Sequence, residues 1–212
     1  MFDIEYKGAN CITISTKKMN FIFDPKLSIV GLKDVSVKNS VGIATEGRFA
    51  VVDSSAVLQI EGPGEYEIAE VSIRAIRATR HLDTSSDEPV CTMYRVEVGD
   101  VRIAVIGNIA PKLSEDQLES LGVIDLLVIP VGGNGYTLDA VSAATITRQI
   151  DPHVVVPVHY ADSALNYEVP QDNVDLFEKE IAATVEEVGP KYKVKASSSI
   201  PQVLTVVKIE RS

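Results

Sequence analysis

The hydrophobic pattern of the chain changes near residue 110, and this change constrains the fold more than any other feature. Residues 1 to about 108 form short runs of alternating apolar and polar side chains separated by turn signals, which is typical of β-strands. From about residue 111, helical periodicity alternates with short apolar runs. The sequence therefore predicts two sheets packed face to face with helices outside, in a single domain spanning residues 1–212.

Local signals place several of these elements. Gly99-Asp100 lies between two alternating runs, which predicts a hairpin turn. The segment "SEDQLESLG" carries a capping-box pattern, in which a serine and a glutamine three residues later satisfy the first helical N–H groups. Two further helices are predicted, over "TLDAVSAATITRQI" with Thr137 at its N-cap and over "PQDNVDLFEKEIAATVEEV".

Composition excludes several functional classes. The formal net charge of −10 argues against a nucleic-acid-binding protein, because phosphate binding needs a basic surface. No apolar stretch approaches the roughly 20 residues of a membrane span, and the N-terminal residues do not resemble a secretory signal. We therefore expect a cytoplasmic protein that does not bind membranes. Cys11 and Cys91 form no CxxC pair, so they are expected to be small core residues.

The three histidines are the first candidates for a site. In "VVPVHY", His159 follows a buried strand, where it could bind a metal, act as a base or fill a hydrogen-bonding niche. His153 stands at the start of this strand and is expected at the surface. His81 is equally compatible with an exposed loop and with a pocket. The glycine-rich segment 131–136, which ends at Tyr136, suits a pocket rim but lacks the lysine of a phosphate-binding loop.

Four segments together resemble a known family. The succession "FIFDP", "IEGPGEYEI", "IDLLVIPVGGNGYTLDAVSAA" and "VVVPVHY" is similar to the metallo-β-lactamase superfamily, in its branch of zinc-dependent hydrolases similar to ascorbate-6-phosphate lactonase. The likeness covers nearly the whole chain. It implies an α/β fold, the four-layer αββα sandwich, with a metal site in a cleft at one edge of the two sheets.

The resemblance also implies which metal ligands are missing. Members of the superfamily carry an H-x-H-x-D-H signature, whereas the matching segment here, residues 41–52, contains no histidine and no aspartate. His81 and His159 match two histidine ligands of the family. Asn108 matches the bridging aspartate, and Asn10 matches a further histidine. The sequence therefore predicts a degenerate metal site with vestigial positions at His81, Asn108 and His159.

Two functions follow as alternatives. A catalytic zinc needs about three His, carboxylate or thiolate ligands, and without the metal nothing obvious activates a water molecule. The leading hypothesis is therefore a non-hydrolytic binding or scaffold protein without a cofactor, whose partner is an unknown small molecule or protein. The alternative is a metal-dependent hydrolase with zinc in a reduced, mononuclear site at His81, Asn108 and His159. A purely structural role is a weaker possibility, and homo-oligomer formation is left open.

The candidate ligand pocket comprises Asn10, Glu46, Arg48 and Tyr136. Glu46 or Arg48 is expected to project into the former metal site, where a guanidinium could hold a carboxylate or phosphate by bidentate hydrogen bonds. The alternative is that the two residues form a surface charge pair. Glu46 or Asp83 could replace one of the missing metal ligands, but neither has a known ligand spacing. A nucleophilic pair of Cys11 and His159 also stays open.

Overall fold

The computed structural model describes residues 1–81 and 90–212, which form two mixed β-sheets. The strands are β1 (Phe2–Gly8), β2 (Cys11–Thr16), β3 (Asn20–Phe23), β4 (Val41–Ile43), β5 (Leu58–Ile60), β6 (Gly64–Ile68), β7 (Val71–Thr79), β8 (Val90–Val98), β9 (Val101–Val105), β10 (Leu126–Pro130), β11 (Val154–Val158), β12 (Thr184–Val188), β13 (Tyr192–Val194) and β14 (Thr205–Ile209). The first sheet has the order β13-β1-β2-β3-β4-β5, and the second has the order β12-β14-β11-β10-β9-β8-β7-β6.

The two sheets pack on each other through a shared apolar layer. Strand β1 buries every second residue, as expected for a strand with one face against a core. Strands β10 and β11 are buried at every position, because their second face is also covered. Side chains from both sheets, such as Ile14 and Phe23 from one and Val128 from the other, form one cluster.

Three helices cover the outer face of the eight-stranded sheet: α1 (Glu115–Leu121), α2 (Ala140–Ile150) and α3 (Val174–Ile181). The outer face of the six-stranded sheet is covered by a short 3-10 helix, Leu27–Val30, and by irregular segments. The architecture is therefore the predicted α/β sandwich of layers around two sheets, with few helices. No helix within the described residues is long and apolar enough to cross a bilayer.

Predictions from short-range signals are confirmed. Strands β8 and β9 form a hairpin whose turn is Gly99-Asp100. Helix α1 begins with the predicted capping box, in which Ser114 accepts from the Gln117 N–H and the Gln117 side chain accepts from the Ser114 N–H. Cys11 and Cys91 are both buried, free thiols.

Two predicted helix boundaries are wrong. Helix α2 begins later than expected, because Asp139 rather than Thr137 caps it by accepting from the Ser142 N–H. The last predicted helix stops at Ile181, because Ala182 takes a left-handed conformation. The following residues form strand β12, which pairs with β14.

The segment "GPGEYEI" contains the edge strand of the second sheet. Residues Gly64–Ile68 form strand β6 and pair antiparallel with β7. The side chains of Glu65 and Glu67 are exposed and those of Tyr66 and Ile68 are half-buried, so the segment has the period-2 pattern of a half-buried strand.

Candidate functional site

Loops from both sheets meet at one edge of the sandwich. Strands β9, β10 and β11 are parallel neighbours, and their carboxyl ends lead to Asn108, to the 131–136 segment and to His159. Parallel strands β3 and β4 of the other sheet lead to Asp24 and to the segment 44–49. Binding sites of parallel sheets form beyond the carboxyl ends of strands, which makes this edge the candidate site.

Glu46 is the centre of a buried charge cluster at this edge. Its Oε2 lies 2.7 Å from Nε of Arg80 and 3.0 Å from Nε of Arg48. Its Oε1 accepts hydrogen bonds from Arg48 Nη2 at 3.3 Å and from Asn108 Nδ2 at 3.1 Å. The side chains of Glu46 and Arg80 are 6% and 4% exposed, whereas that of Arg48 is 30% exposed. Glu46 is thus a buried carboxylate whose two oxygens are both engaged by cations.

The carboxylate fixes the orientation of two buried amides. A carboxylate only accepts hydrogen bonds, so Asn108 turns its NH₂ group toward Glu46 and its Oδ1 away. Asn108 Oδ1 then accepts from Asn10 Nδ2 at 3.1 Å. This leaves Oδ1 of Asn10 as a buried acceptor without a hydrogen-bond partner among the described residues.

His159 is a buried, neutral imidazole between aromatic rings. Its ring stacks on Tyr136, with centroids 5.3 Å apart, and contacts Tyr167 at 4.9 Å. Its Nδ1 lies 3.2 Å from Oε1 of Gln171. Burial lowers the pKa of His159 to about 4, since desolvation disfavours the imidazolium more than the bond to Gln171 favours it. At neutral pH the ring is therefore uncharged.

Asp24 braces the loop that carries Glu46. Its Oδ1 accepts from the Thr45 backbone N–H and its Oδ2 from the Thr45 hydroxyl, both at 2.7 Å. Burial raises the pKa of the Asp24 carboxyl to about 7, although the hydrogen bonds from Thr45 act in the opposite direction. Asp24 therefore holds the start of the 44–49 segment in place.

A cavity of about 170 Å³ opens beside these groups. Its wall includes several polar or aromatic side chains: Asn10, Lys26, Arg48, Tyr136, His159 and Tyr167. Three non-glycine residues of the wall, Ala9, Asp24 and His159, have φ near +50°. Such backbone conformations cost about 1–3 kcal/mol each and concentrate at binding sites, where surrounding structure holds them. The strain is a second sign that this edge is functional.

The sequence-predicted residues are distributed as follows. Asn10, Arg48, Tyr136 and His159 all line the cavity, and Arg48 lies 5.1 Å from the Tyr136 ring centroid. Asn108 connects Asn10 to Glu46.

His81, His153 and Cys11 do not line the cavity. The His81 backbone N–H donates to the Asn108 carbonyl, but its Nδ1 lies 3.1 Å from the Gly135 carbonyl oxygen, so the ring faces the 131–136 segment. His153 is exposed, as predicted. Burial raises the pKa of the Cys11 thiol well above its ordinary value, which disfavours a thiolate nucleophile. Asp83 lies outside the described residues.

Some residues of the site were not predicted from the sequence. Arg80 contacts Glu46. Ile76 and Ala78 of β7 are buried, and counting two residues further leads to Arg80, so the period-2 pattern could have predicted that Arg80 is buried. Tyr167 and Gln171 lie in an irregular segment between β11 and α3. No periodicity or motif in that segment indicates that they reach His159.

Among the described residues, the donor set at this edge does not fit a catalytic metal ion. Such an ion needs about three His, carboxylate or thiolate ligands and an open position. Among residues 1–81 and 90–212, no group of three or more His, Cys, Asp and Glu side chains is arranged to hold one. The buried carboxylate of Glu46 is engaged by two guanidiniums, and the amides of Asn10 and Asn108 are weak ligands for zinc.

Comparison with known proteins gives a consistent family and fold. Residues 3–159 match the family profile described as Beta-lactamase superfamily domain. A proposed Zn-dependent hydrolase of the metallo-β-lactamase superfamily from Thermotoga maritima superposes with a TM-score of 0.77 at 20% identity, covering 99% of this chain and 100% of that one.

Two further solved structures are similar. Igni18, a metallo hydrolase from Ignicoccus hospitalis, has a TM-score of 0.67 at 17% identity, covering 92% of this chain and 99% of its own. A proposed metal-dependent hydrolase from Parabacteroides distasonis has a TM-score of 0.64 at 16% identity, covering 99% and 92%. At these identities the likeness shows the fold, and the site has to be judged from the side chains of this chain.

Proposed function

Because this chain belongs to the beta-lactamase superfamily and has the metallo-β-lactamase fold, we propose that it is a non-hydrolytic member that binds a small molecule at the strand-end edge. The carrying observation is the state of Glu46, whose two oxygens contact Arg80, Arg48 and Asn108. A guanidinium supplies positive charge but has no coordination position at which water could be activated. The arrangement thus suits binding better than hydrolysis.

The cavity supports a ligand-binding function in a second way. Its wall contains aromatic and aliphatic side chains, a cationic side chain that lies over a tyrosine ring, and a neutral histidine. Small-molecule sites have this combination of apolar walls and a few placed polar groups. A role as a scaffold for a protein partner, in the cytoplasm, stays a prediction of the sequence.

The rival function is metal-dependent hydrolysis at a reduced, mononuclear site, with zinc as the cofactor. It is favoured by the relatives, since all three of the similar structures named above are described as zinc-dependent, metallo or metal-dependent hydrolases. In this chain the site for this rival function comprises His81, Asn108 and His159. Only two of these side chains are imidazoles, and the imidazole of His81 already contacts the Gly135 carbonyl oxygen.

Metal content and hydrolysis decide between the two functions. Protein purified without chelator or added metal is expected to hold well under one equivalent of zinc, manganese or iron per chain. It is also expected not to hydrolyse lactone, phosphodiester or β-lactam substrates above background. Stoichiometric metal, together with hydrolysis that is lost in His159→Ala but kept in the exposed control His153→Ala, would establish the rival.

A further inference from the structure

The size and walls of the cavity limit its ligand. Its volume is about 170 Å³, close to the roughly 150 Å³ of an engineered protein cavity that accommodates benzene. The wall includes the aromatic side chains of Tyr136, Tyr167 and Phe49 and the imidazole of His159. Aromatic rings favour offset or edge-on contacts with another ring. A molecule with a single ring therefore fits this space.

Two cationic side chains line the cavity. Arg48 contacts Glu46 through Nε and Nη2, and its Nη1 has no hydrogen-bond partner among the described residues. Lys26 also lines the cavity and forms no ion pair within the described part of the chain. A cation that is partly buried and has unused donors is a good partner for an anionic group. The ligand is expected to carry a negative charge.

The orientation of Asn10 adds a third requirement. Glu46 orients Asn108, and Asn108 in turn orients Asn10, so the Asn10 NH₂ is already used inside the protein. The Asn10 side chain is 5% exposed and lines the cavity, while its Oδ1 has no hydrogen-bond partner among the described residues. A buried acceptor without a partner is unfavourable until a donor reaches it. An N–H or O–H group of the ligand would supply that donor.

The acidic groups of the wall do not cancel this preference. The oxygens of Asp24 face Thr45, which donates to both of them. Glu168 lines the cavity but is an exposed residue, so water screens its charge.

We infer that the cavity binds a single-ring molecule that carries both an anionic group, held by Lys26 and Arg48, and an N–H or O–H donor, held by Asn10 Oδ1. This ligand class rests on the proposed binding function and makes it specific. The three isomers of hydroxybenzoate have both groups on one ring and serve as probes.

Isothermal titration calorimetry with matched compounds tests each group. The best hydroxybenzoate isomer is expected to bind at least about tenfold more tightly than the corresponding neutral hydroxybenzamide, because a charge-assisted hydrogen bond is lost. It is expected to bind about threefold to tenfold more tightly than benzoate, which lacks the hydroxyl donor. Equal affinity of the acid and the amide would overturn the inference, as would the absence of binding by all three isomers at millimolar concentration.

Variants assign the two contacts. Lys26→Gln is expected to weaken hydroxybenzoate binding about tenfold without changing hydroxybenzamide binding, whereas Lys33→Gln, an exposed lysine outside the cavity, leaves both unchanged. Asn10→Ala is expected to make hydroxybenzoate and benzoate bind equally. Because the affinities for hydroxybenzoate and benzoate are compared on the same variant, a general loss of stability affects both and leaves their ratio unchanged. Equal effects of Lys26→Gln and Lys33→Gln would contradict the assignment of the anion.

Metal analysis of the same preparation separates the two possible failures. If the protein is metal-free and non-hydrolytic but binds none of the probes, the inferred ligand class is refuted and the proposed non-hydrolytic function is not. A metal-loaded, hydrolytic protein would refute the proposed function whichever probe it binds.

Discussion

Replacement of Glu46 by glutamine tests the physical core of the site. The substitution keeps the volume of the side chain and one acceptor for Asn108, but it removes the charge that faces Arg80 at 2.7 Å and Arg48 at 3.0 Å. Breaking a buried ion pair on one side costs about 3–5 kcal/mol, because the remaining charge stays desolvated. Arg48 can turn toward solvent since it is 30% exposed, so we expect the lower value, about 3 kcal/mol.

A loss of about 3 kcal/mol corresponds to a fall in melting temperature of about 6–12 °C for a chain of this size. The free energy of unfolding can be measured by urea denaturation followed by circular dichroism and by tyrosine fluorescence, since the chain has seven tyrosines and no tryptophan. Agreement of the two probes would support a two-state analysis.

The matched control is Glu65→Gln. Glu65 pairs with Arg74 at the same 3.0 Å, but the two side chains are 74% and 51% exposed. Exposed pairs contribute little, so the control is expected to change stability by less than about 1 kcal/mol. If Glu46→Gln were no more destabilising than Glu65→Gln, the buried cluster would not hold this edge together and the argument built on it would fail.

Four further outcomes are expected. Because His159 is buried as the neutral imidazole, it stabilises the fold at pH values above its ordinary pKa of 6.5, and this stabilisation is lost as the pH falls through about 4. An NMR titration of the ring should give a midpoint near pH 4. Asp24 has the opposite effect. Because its pKa is raised to about 7, the protonated carboxyl stabilises the fold in acid, and this stabilisation is lost as the pH rises through 7. The variant Asp24→Asn should remove this part of the pH dependence of stability, as measured by urea denaturation. Gly132→Ala should cost about 1–3 kcal/mol in thermal denaturation, because a Cβ there would collide with a backbone carbonyl, whereas Gly189→Ala, with open space around it, should be neutral. Asn108→Asp should place another buried carboxylate beside Glu46, lower stability and leave metal content and hydrolysis unchanged; stoichiometric zinc in this variant would contradict the proposal.

The fold was predictable where local chemistry decides the structure. The capping box at Ser114 and the turn at Gly99-Asp100 need no distant partner, and both are confirmed. Segment 184–188 is different, because its glutamates suit a helix but its pairing with β14 makes it a strand. Pairing with a strand almost twenty residues away outweighs a weak local preference, and the sequence does not display that pairing.

The candidate site was predictable as a set of positions and not as a network. Resemblance and strand ends indicate Asn10, Glu46, Arg48 and Asn108 from the sequence, but their hydrogen bonds depend on the relative placement of four loops from two sheets. Arg80 was missed because it follows the last apolar residue of β7 and lies just beyond the end of that strand. The direction of each amide in the network follows only from the position of the carboxylate.

Under the proposed function, the positive charges of the site take over one of the two tasks that a metal ion performs. A metal ion does two things at such an edge: it attracts anions and it lowers the pKa of a bound water molecule. Guanidiniums perform the first task, since they are permanently charged and carry several fixed donors, but they cannot perform the second. Arg48 and Arg80 are held around Glu46, and Arg48 extends from there into the cavity wall. His159, neutral and placed between two tyrosine rings, is then part of the aromatic wall of the cavity. These contacts support a site that selects an anionic ring and leaves it chemically unchanged.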